Sequence, residues 1–468
     1  MSPDDRRLNF ATIRELGRML RSGETTPTAL AEHFIGRLET VGRELNAVVT
    51  VTRDRAMREA RLAEDELVAG YDRGPLHGIP YGAKDLLATA GIPTSWGAEP
   101  LRDQVFADDA TAVKRLREAG AVLVAKVAMI EMAGGMGYSQ PTASLTGPPR
   151  NPWNRDSWTG GSSSGSGATV AAGAVPFAIG SETGGSILSP SSYCGLSGLR
   201  PTYGRISRHG AMALCWTLDK LGPMCHTADD AGLVLQALAG YDPADYSTLR
   251  ETYQYAPEHA LTGGFRLGIL REGLETVQPE VRENFEAACD ALSSVATLEE
   301  FSLPDYPYGD VYAIVLSAEG AAAFENLIDG GVISGLTAPE DRLGGYAGST
   351  ITAVEYLRAM RVRRQINDDV DARLSRYDAI LHPSGNTVAS PIGVNFEEYA
   401  RPWSRRNVLT SLGNLSGFPA ISVANGFGER GLPTGMQIAG RSGTENAILA
   451  VASAYQRLTD WHERHPDA

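Results

Sequence analysis

The chain has 468 residues, of which 43 % are hydrophobic and 21 % charged, and its net charge is −14. That balance fits a globular protein with a large core and argues against non-specific binding to nucleic acid or to anionic membranes. Four cysteines without a CxxC pair, and no Cys/His spacing of the zinc type, read as buried thiols rather than a metal site or a disulfide framework.

Taken in chain order, residues 8–70 read as helices, with Gly23 as a stop and Thr26-Pro27 as a restart. A charged, Ala-rich helix is expected over 53–69, and a short strand with turns over 78–98. Residues 109–129 predict a helix, a glycine turn and a buried strand at Ala121–Lys126. A capped helix follows at 227–240. Residues 245–375 read as helical stretches separated by loops. "YDAILHPS" (377–384) and "FPAISVANGF" (418–427) read as strands, and "GTENAILAVASAYQRLTDW" as a closing helix. Helix–strand alternation places the chain in the α/β class. The N-terminus lacks an apolar signal region and no window approaches a membrane span, so a cytoplasmic protein is expected.

The stretch "TGGSSSGSGATVAAGAVPFAIGSETGGSILSP" (159–190) carries the chemistry. Two Gly/Ser runs enclose an apolar run, which a flexible linker would not do. A phosphate loop lacks support: GxxxxGK[ST] is absent and "GSSSGSGATV" breaks the GxGxxG spacing. Residues 161–165 match G-x-S-x-G, but the preceding "GPPRNPWNRDSWT" cannot be the buried central strand a nucleophile elbow needs.

The same stretch resembles the signature of the amidase signature family. Further blocks follow in family order: "PLHGIPYGAKDLLATAGIPTSWGA", "RNPWN", "CGLSGLRPTYGRISRHG", "LDKLGPMCHTADDAGLVLQALAG" and "NLSGFPAISVANGF" with "GLPTGMQIAG". The resemblance covers most of 75–240 and 375–458 and implies a fold with one large mixed β-sheet of about eleven strands, covered by helices on both sides. It implies one amidase domain over 1–468: a helical N-terminal segment to about 70, a signature core over about 75–240, a variable helical excursion over about 245–375, and C-terminal strands and a helix over about 376–468.

Carried over residue by residue, the family's Ser-cisSer-Lys triad falls on Ser186, Ser162 and Lys84, with the cis peptide at Gly161–Ser162. Lys126, at the end of an apolar strand, is the alternative lysine, and its plain reading is a snorkelling strand-end side chain. The resemblance gives the oxyanion site to the backbone N–H groups of Thr183, Gly184, Gly185 and Ser186. It places Gly161, Ser163 and Glu182 around the triad. A lysine base must be neutral near pH 7, which burial favours, and Asp85 should face away from Lys84 along the strand.

Two core positions depart from the family. Its usual Asp is Glu182, and its usual Arg after GGSI is Leu188, so Glu182 needs another partner. The substrate wall "AMIEMAGGMGYSQP" also departs: Gly134, Gly135, Met136 and Tyr138 would line an open, apolar pocket. At Asn407, glutamine-specific members resemble one another in an acidic residue, and a neutral Asn is a poor partner for an α-ammonium. The expected activity is therefore cleavage of small or aryl amides, with carbamates (urethanes) and esters as further candidates. The alternative is the glutaminase subunit of a tRNA-dependent amidotransferase. No cofactor and no metal are implied. The expected partner is a small-molecule substrate, with no direct nucleic-acid or membrane contact, acting as a monomer or homodimer.

Overall fold

The computed structural model describes residues 3–256, 264–403 and 407–467. Thirteen strands occur in chain order: β1 (Val48–Val51), β2 (Pro80–Lys84), β3 (Val122–Val127), β4 (Arg150–Asn151), β5 (Asn154–Trp158), β6 (Phe177–Glu182), β7 (Ser197–Arg200), β8 (Lys220–Cys225), β9 (Phe265–Leu270), β10 (Ala296–Phe301), β11 (Ala379–Pro383), β12 (Ala420–Phe427) and β13 (Pro433–Ala439). Eleven of them form one mixed sheet in the order β1-β3-β2-β6-β8-β7-β12-β13-β11-β9-β10, flanked by helices.

Strands β2, β3, β6 and β8 are buried along their whole length. That is why they read as near-continuous apolar runs rather than as alternating patterns. β2 lies between β3 and β6 and is parallel to both. Its last residue, Lys84, therefore emerges inside the sheet, on the third strand from the β1 edge.

The apolar run between the two Gly/Ser stretches becomes the helix Ser164–Ala171 followed by β6, all of it buried. This pair holds the two loops that flank it. β4 and β5 form a separate two-stranded ribbon, so the segment before G-x-S-x-G is outside the main sheet.

Three strands lie where the sequence reading placed helices or loops. β1 interrupts the N-terminal helices, as an antiparallel edge strand on β3. β9 and β10 lie inside the segment read as helices and loops, and pair in parallel at the far edge of the sheet. β10, "ATLEEF", is only partly buried and carries two glutamates, so no apolar period marks it. The long helices Tyr308–Ala323 and Ala353–Leu374 fill the rest of that segment.

Candidate active site

Lys84 is fully buried, and its Nζ lies 2.8 Å from Ser162 Oγ, 3.0 Å from Ser163 Oγ and 2.8 Å from Ser181 Oγ. The Gly161–Ser162 peptide is cis. Burial drives the Lys84 pKa well below its ordinary value, while the more distant carboxylates of Asp219 and Glu182 oppose the shift. The hydroxyl pattern suits a neutral amine. Ser163 Oγ donates to the Ser181 carbonyl at 3.2 Å, so toward Lys84 it can only accept. The hydroxyls of Ser162 and Ser181 can each accept from the amine or donate to its lone pair.

Asp85 does not compete for Lys84. Side chains alternate along a strand, and Asp85 turns to the opposite face. There it meets Lys126 Nζ at 3.1 Å and accepts from the Ser95 N–H at 2.9 Å, with both charged side chains fully buried. Lys126 is thus no strand-end snorkeller. It neutralises a buried carboxylate and donates to Thr94 Oγ1 at 2.6 Å.

Ser186 sits in the loop between β6 and the helix Leu188–Cys194, and is partly exposed. Its carbonyl accepts from the Ser163 N–H at 3.3 Å, which ties the two Gly/Ser loops together. Among the described residues, Ser186 Oγ makes no hydrogen bond with Ser162 Oγ. The N–H groups of Thr183, Gly184, Gly185 and Ser186 find no acceptor there either, while Ile187 and Leu188 donate theirs to Glu182 Oε2 at 2.9 and 3.0 Å. Gly185 has φ +103°, a conformation that favours glycine. A Cβ at Gly184 would overlap the hydroxyl of Tyr312.

Glu182 has a cation after all. Arg200, at the end of β7, donates to its Oε1 at 2.8 Å, and Asn414 Nδ2 donates to the same oxygen at 3.0 Å. Burial alone would raise the Glu182 pKa, but Arg200 and the two backbone donors hold it below its usual value.

In the segment expected to line the pocket, Gly134 and Gly135 sit against neighbouring side chains. A Cβ at Gly134 would overlap the Tyr138 ring, and one at Gly135 would overlap Leu214. The glycines serve close packing. Met136 is buried, close to Gly344 and Gly345. Tyr138 does face the site, since a Cβ on Gly161 would lie 2.9 Å from its hydroxyl, and its ring packs with Trp158 and Phe396. Asn407 caps the helix Val408–Ser416, accepting from Leu409 and Thr410 N–H and donating to the Pro383 carbonyl at 2.7 Å. Its amide is committed to the fold.

Sequence reasoning missed Ser181, Arg200, Asn414, Asp219 and Tyr312. Ser181 could have been found, because it precedes Ser186 by five residues in the same stretch. Tyr312 comes from the variable segment, where no motif points to it.

Comparison with known proteins adds four findings. A family model described as Amidase matches residues 29–449. The chain is 37 % identical over 489 residues to a glutamyl-tRNA(Gln) amidotransferase subunit of Roseiflexus sp. (strain RS-1), covering 98 % of this chain and 99 % of that one. Among solved structures it resembles the native peptide amidase from Stenotrophomonas maltophilia, with TM-score 0.86, 29 % identity and 98 % of each chain covered. It also resembles the corresponding glutamyl-tRNA(Gln) amidotransferase subunit from Thermotoga maritima, with TM-score 0.81, 29 % identity, and 96 % of this chain and 95 % of that one covered.

Proposed function

The chain belongs to the amidase family, and on that premise we propose that it cleaves the C–N bond of an amide through an acyl-enzyme on Ser186, with Ser162 and Lys84 moving the proton. One observation carries this reading: a fully buried lysine amine, depressed in pKa, 2.8 Å from the hydroxyl of Ser162. A serine hydroxyl is a weak nucleophile until a base takes its proton. Neutral Lys84 takes the Ser162 proton as Ser162 takes that of Ser186. Ser186 then attacks the carbonyl, and the N–H groups of Thr183 to Ser186 receive the developing oxyanion. The proton returns through Ser162 to the leaving nitrogen, and water repeats the cycle on the ester. Ser163 and Ser181 hold the lysine.

Two substrate readings remain. The names of the curated relatives favour the first: the amidase subunit of a tRNA-dependent amidotransferase, releasing ammonia from glutamine for partner subunits. The second is a self-sufficient hydrolase of small or aryl amides, with carbamates and esters offering Ser186 the same carbonyl. Asn407 favours it, because a neutral side chain spent on a helix cap cannot pair with an α-ammonium.

The test is to assay the purified chain for ammonia release from glutamine and for hydrolysis of an anilide, a carbamate and an ester, with Ser186→Ala as control. Glutamine turnover together with co-purifying partner subunits supports the first reading. Turnover of the other substrates by the chain alone supports the second. No turnover above the control, with Ser186 unlabelled by a fluorophosphonate probe, overturns both.

A further inference from the structure

Three acidic side chains join the substrate wall to the helix Asp341–Gly348 of the variable segment. Glu131, fully buried, accepts from the Thr337 and Ala338 N–H groups just before that helix, at 2.8 and 2.9 Å. Glu340 accepts from the Ser139 N–H at 2.8 Å and from its hydroxyl at 2.6 Å. Asp341, also fully buried, has no hydrogen-bond donor on either oxygen among the described residues and lies against Glu131. We propose that Glu131 and Asp341 share one proton as a latch on the wall, and that losing it in alkali releases the wall from the catalytic loop. What the wall serves rests on the acyl-enzyme reading above.

Position is the first argument. Directly after Glu131, Met132 and Ala133 take φ +51° and +54°, left-handed backbone that residues other than glycine avoid. Such conformations persist where the surroundings over-determine them, so the wall needs an external hold. The helix packs closely enough to give one. A Cβ on its Gly344 would overlap the Met136 carbonyl, and one on Gly345 would crowd the Met136 sulfur. One residue before Glu131, the Ile130 N–H donates to the Ser162 carbonyl at 3.1 Å, and the Tyr138 hydroxyl lies beside Gly161. Asp341 is thus a positioning residue, acting on the Ser162 backbone through Glu131 and the wall.

Chemistry is the second. Two carboxylates in contact cannot both stay ionised out of water. Glu131 already holds two N–H donors, which suits the anion, so the proton belongs on Asp341 and is donated to Glu131. Burial, then Glu131, pushes the Asp341 pKa up to about 9; Glu340 adds to the rise, and the backbone N–H of Tyr138 opposes it.

The other titratable groups around Asp341 are neutral, engaged or exposed. Burial raises the pKa of the Tyr138 phenol, which stays neutral. Arg342 turns away to the Leu336 and Thr337 carbonyls. On the packed helix Tyr308–Ala323, Asp310 is exposed, and Glu319 is held by the Thr217 N–H and the Tyr356 hydroxyl. Glu325 and Asp329, on the short helix whose Ile328 touches Gly345, are exposed as well. In alkali, hydroxide takes the Asp341 proton and becomes water. Two buried carboxylates then face each other, and the contact opens to let water reach them.

The experiment compares wild type with Asp341→Asn and Asp341→Ser, whose amide or hydroxyl donates to Glu131 at every pH. Hydrogen exchange over residues 131–139 and 337–345 is read by mass spectrometry at pH 7 and pH 10. The three proteins should match at pH 7, and at pH 10 wild type should exchange at least about fivefold faster. The kcat/KM profile, on whichever of glutamine, the anilide, the carbamate or the ester is turned over, should fall above about pH 9 in wild type and hold in the variants. Equal exchange at pH 10 in wild type and a folded variant overturns the proposal, whatever the activity. If neither variant folds, wild type decides alone: wall exchange that rises from pH 7 to pH 10 no more than that of remote segments overturns it. If exchange behaves as expected but nothing is cleaved and Ser186 is unreactive, the acyl-enzyme reading falls and the latch stands.

Discussion

Arg200 Nη1 donates to Glu182 Oε1 at 2.8 Å, with both side chains fully buried. The same carboxylate holds the N–H groups of Ile187 and Leu188, directly after Ser186. A buried ion pair therefore sets the backbone that presents Ser186. Breaking one partner of such a pair typically costs about 3–5 kcal/mol, because the other charge is left buried and alone. Arg200→Met should lower the melting temperature and kcat together. Glu182→Gln with Arg200→Met should recover part of the stability, since no lone charge remains. A melting temperature unchanged in Arg200→Met would contradict this account.

Two lysines lie on opposite faces of neighbouring strands, and they should fail differently. Lys84→Met removes the base and should cost about 10²–10⁴ in kcat/KM while leaving the fold intact. Lys126→Met leaves Asp85 unpaired and should cost about 3–5 kcal/mol of stability. Denaturant melts and single-turnover rates of the two variants separate the roles.

The pH profile follows from Lys84. Burial lowers its pKa in the folded state, and only the neutral amine can take a proton. Activity should rise with pH through that depressed value, so a pH–kcat/KM profile that peaks near pH 5 would rule out a lysine base.

Gly184 leaves no room for a side chain beneath Tyr312. Gly184→Ala should displace the oxyanion loop and lower kcat by about 10²-fold or more. Trimming the obstacle should help, so Gly184→Ala with Tyr312→Ala is expected to regain part of that loss. Steady-state kinetics on all three variants check it.

Asp341 is fully buried beside Glu131, which accepts from the Thr337 and Ala338 N–H groups at 2.8 and 2.9 Å. Burial, then Glu131, pushes the Asp341 pKa up to about 9. Between its ordinary value of 3.8 and 9, the folded state holds a proton that the unfolded state has lost. Stability from this group is thus complete below pH 4 and declines as pH rises toward 9. Asp341→Asn should flatten the fall of melting temperature with pH across that window.

How much could be read in advance depended on how local each feature is. Lys84, Ser162, Ser186 and the four oxyanion residues sit in dense, spaced Gly/Ser motifs whose backbone demands few other residues meet. β3 announces itself because burial on both faces makes it continuously apolar, whereas the short central strand β7, "SGLR", does not. β10 is hidden for another reason, since the edge strand "ATLEEF" is half wet.

By itself, then, the sequence determined the family and the α/β sheet, and it singled out the lysine and two serines that the proposed mechanism uses. Tertiary structure alone decided the partners of charge and space: Arg200 for Glu182, Lys126 for Asp85, Tyr138 and Leu214 against the wall glycines, and Tyr312 over Gly184. The reason is physical. A buried charge must be neutralised and a void must be filled, but either can be met from any point along the chain that the fold brings near.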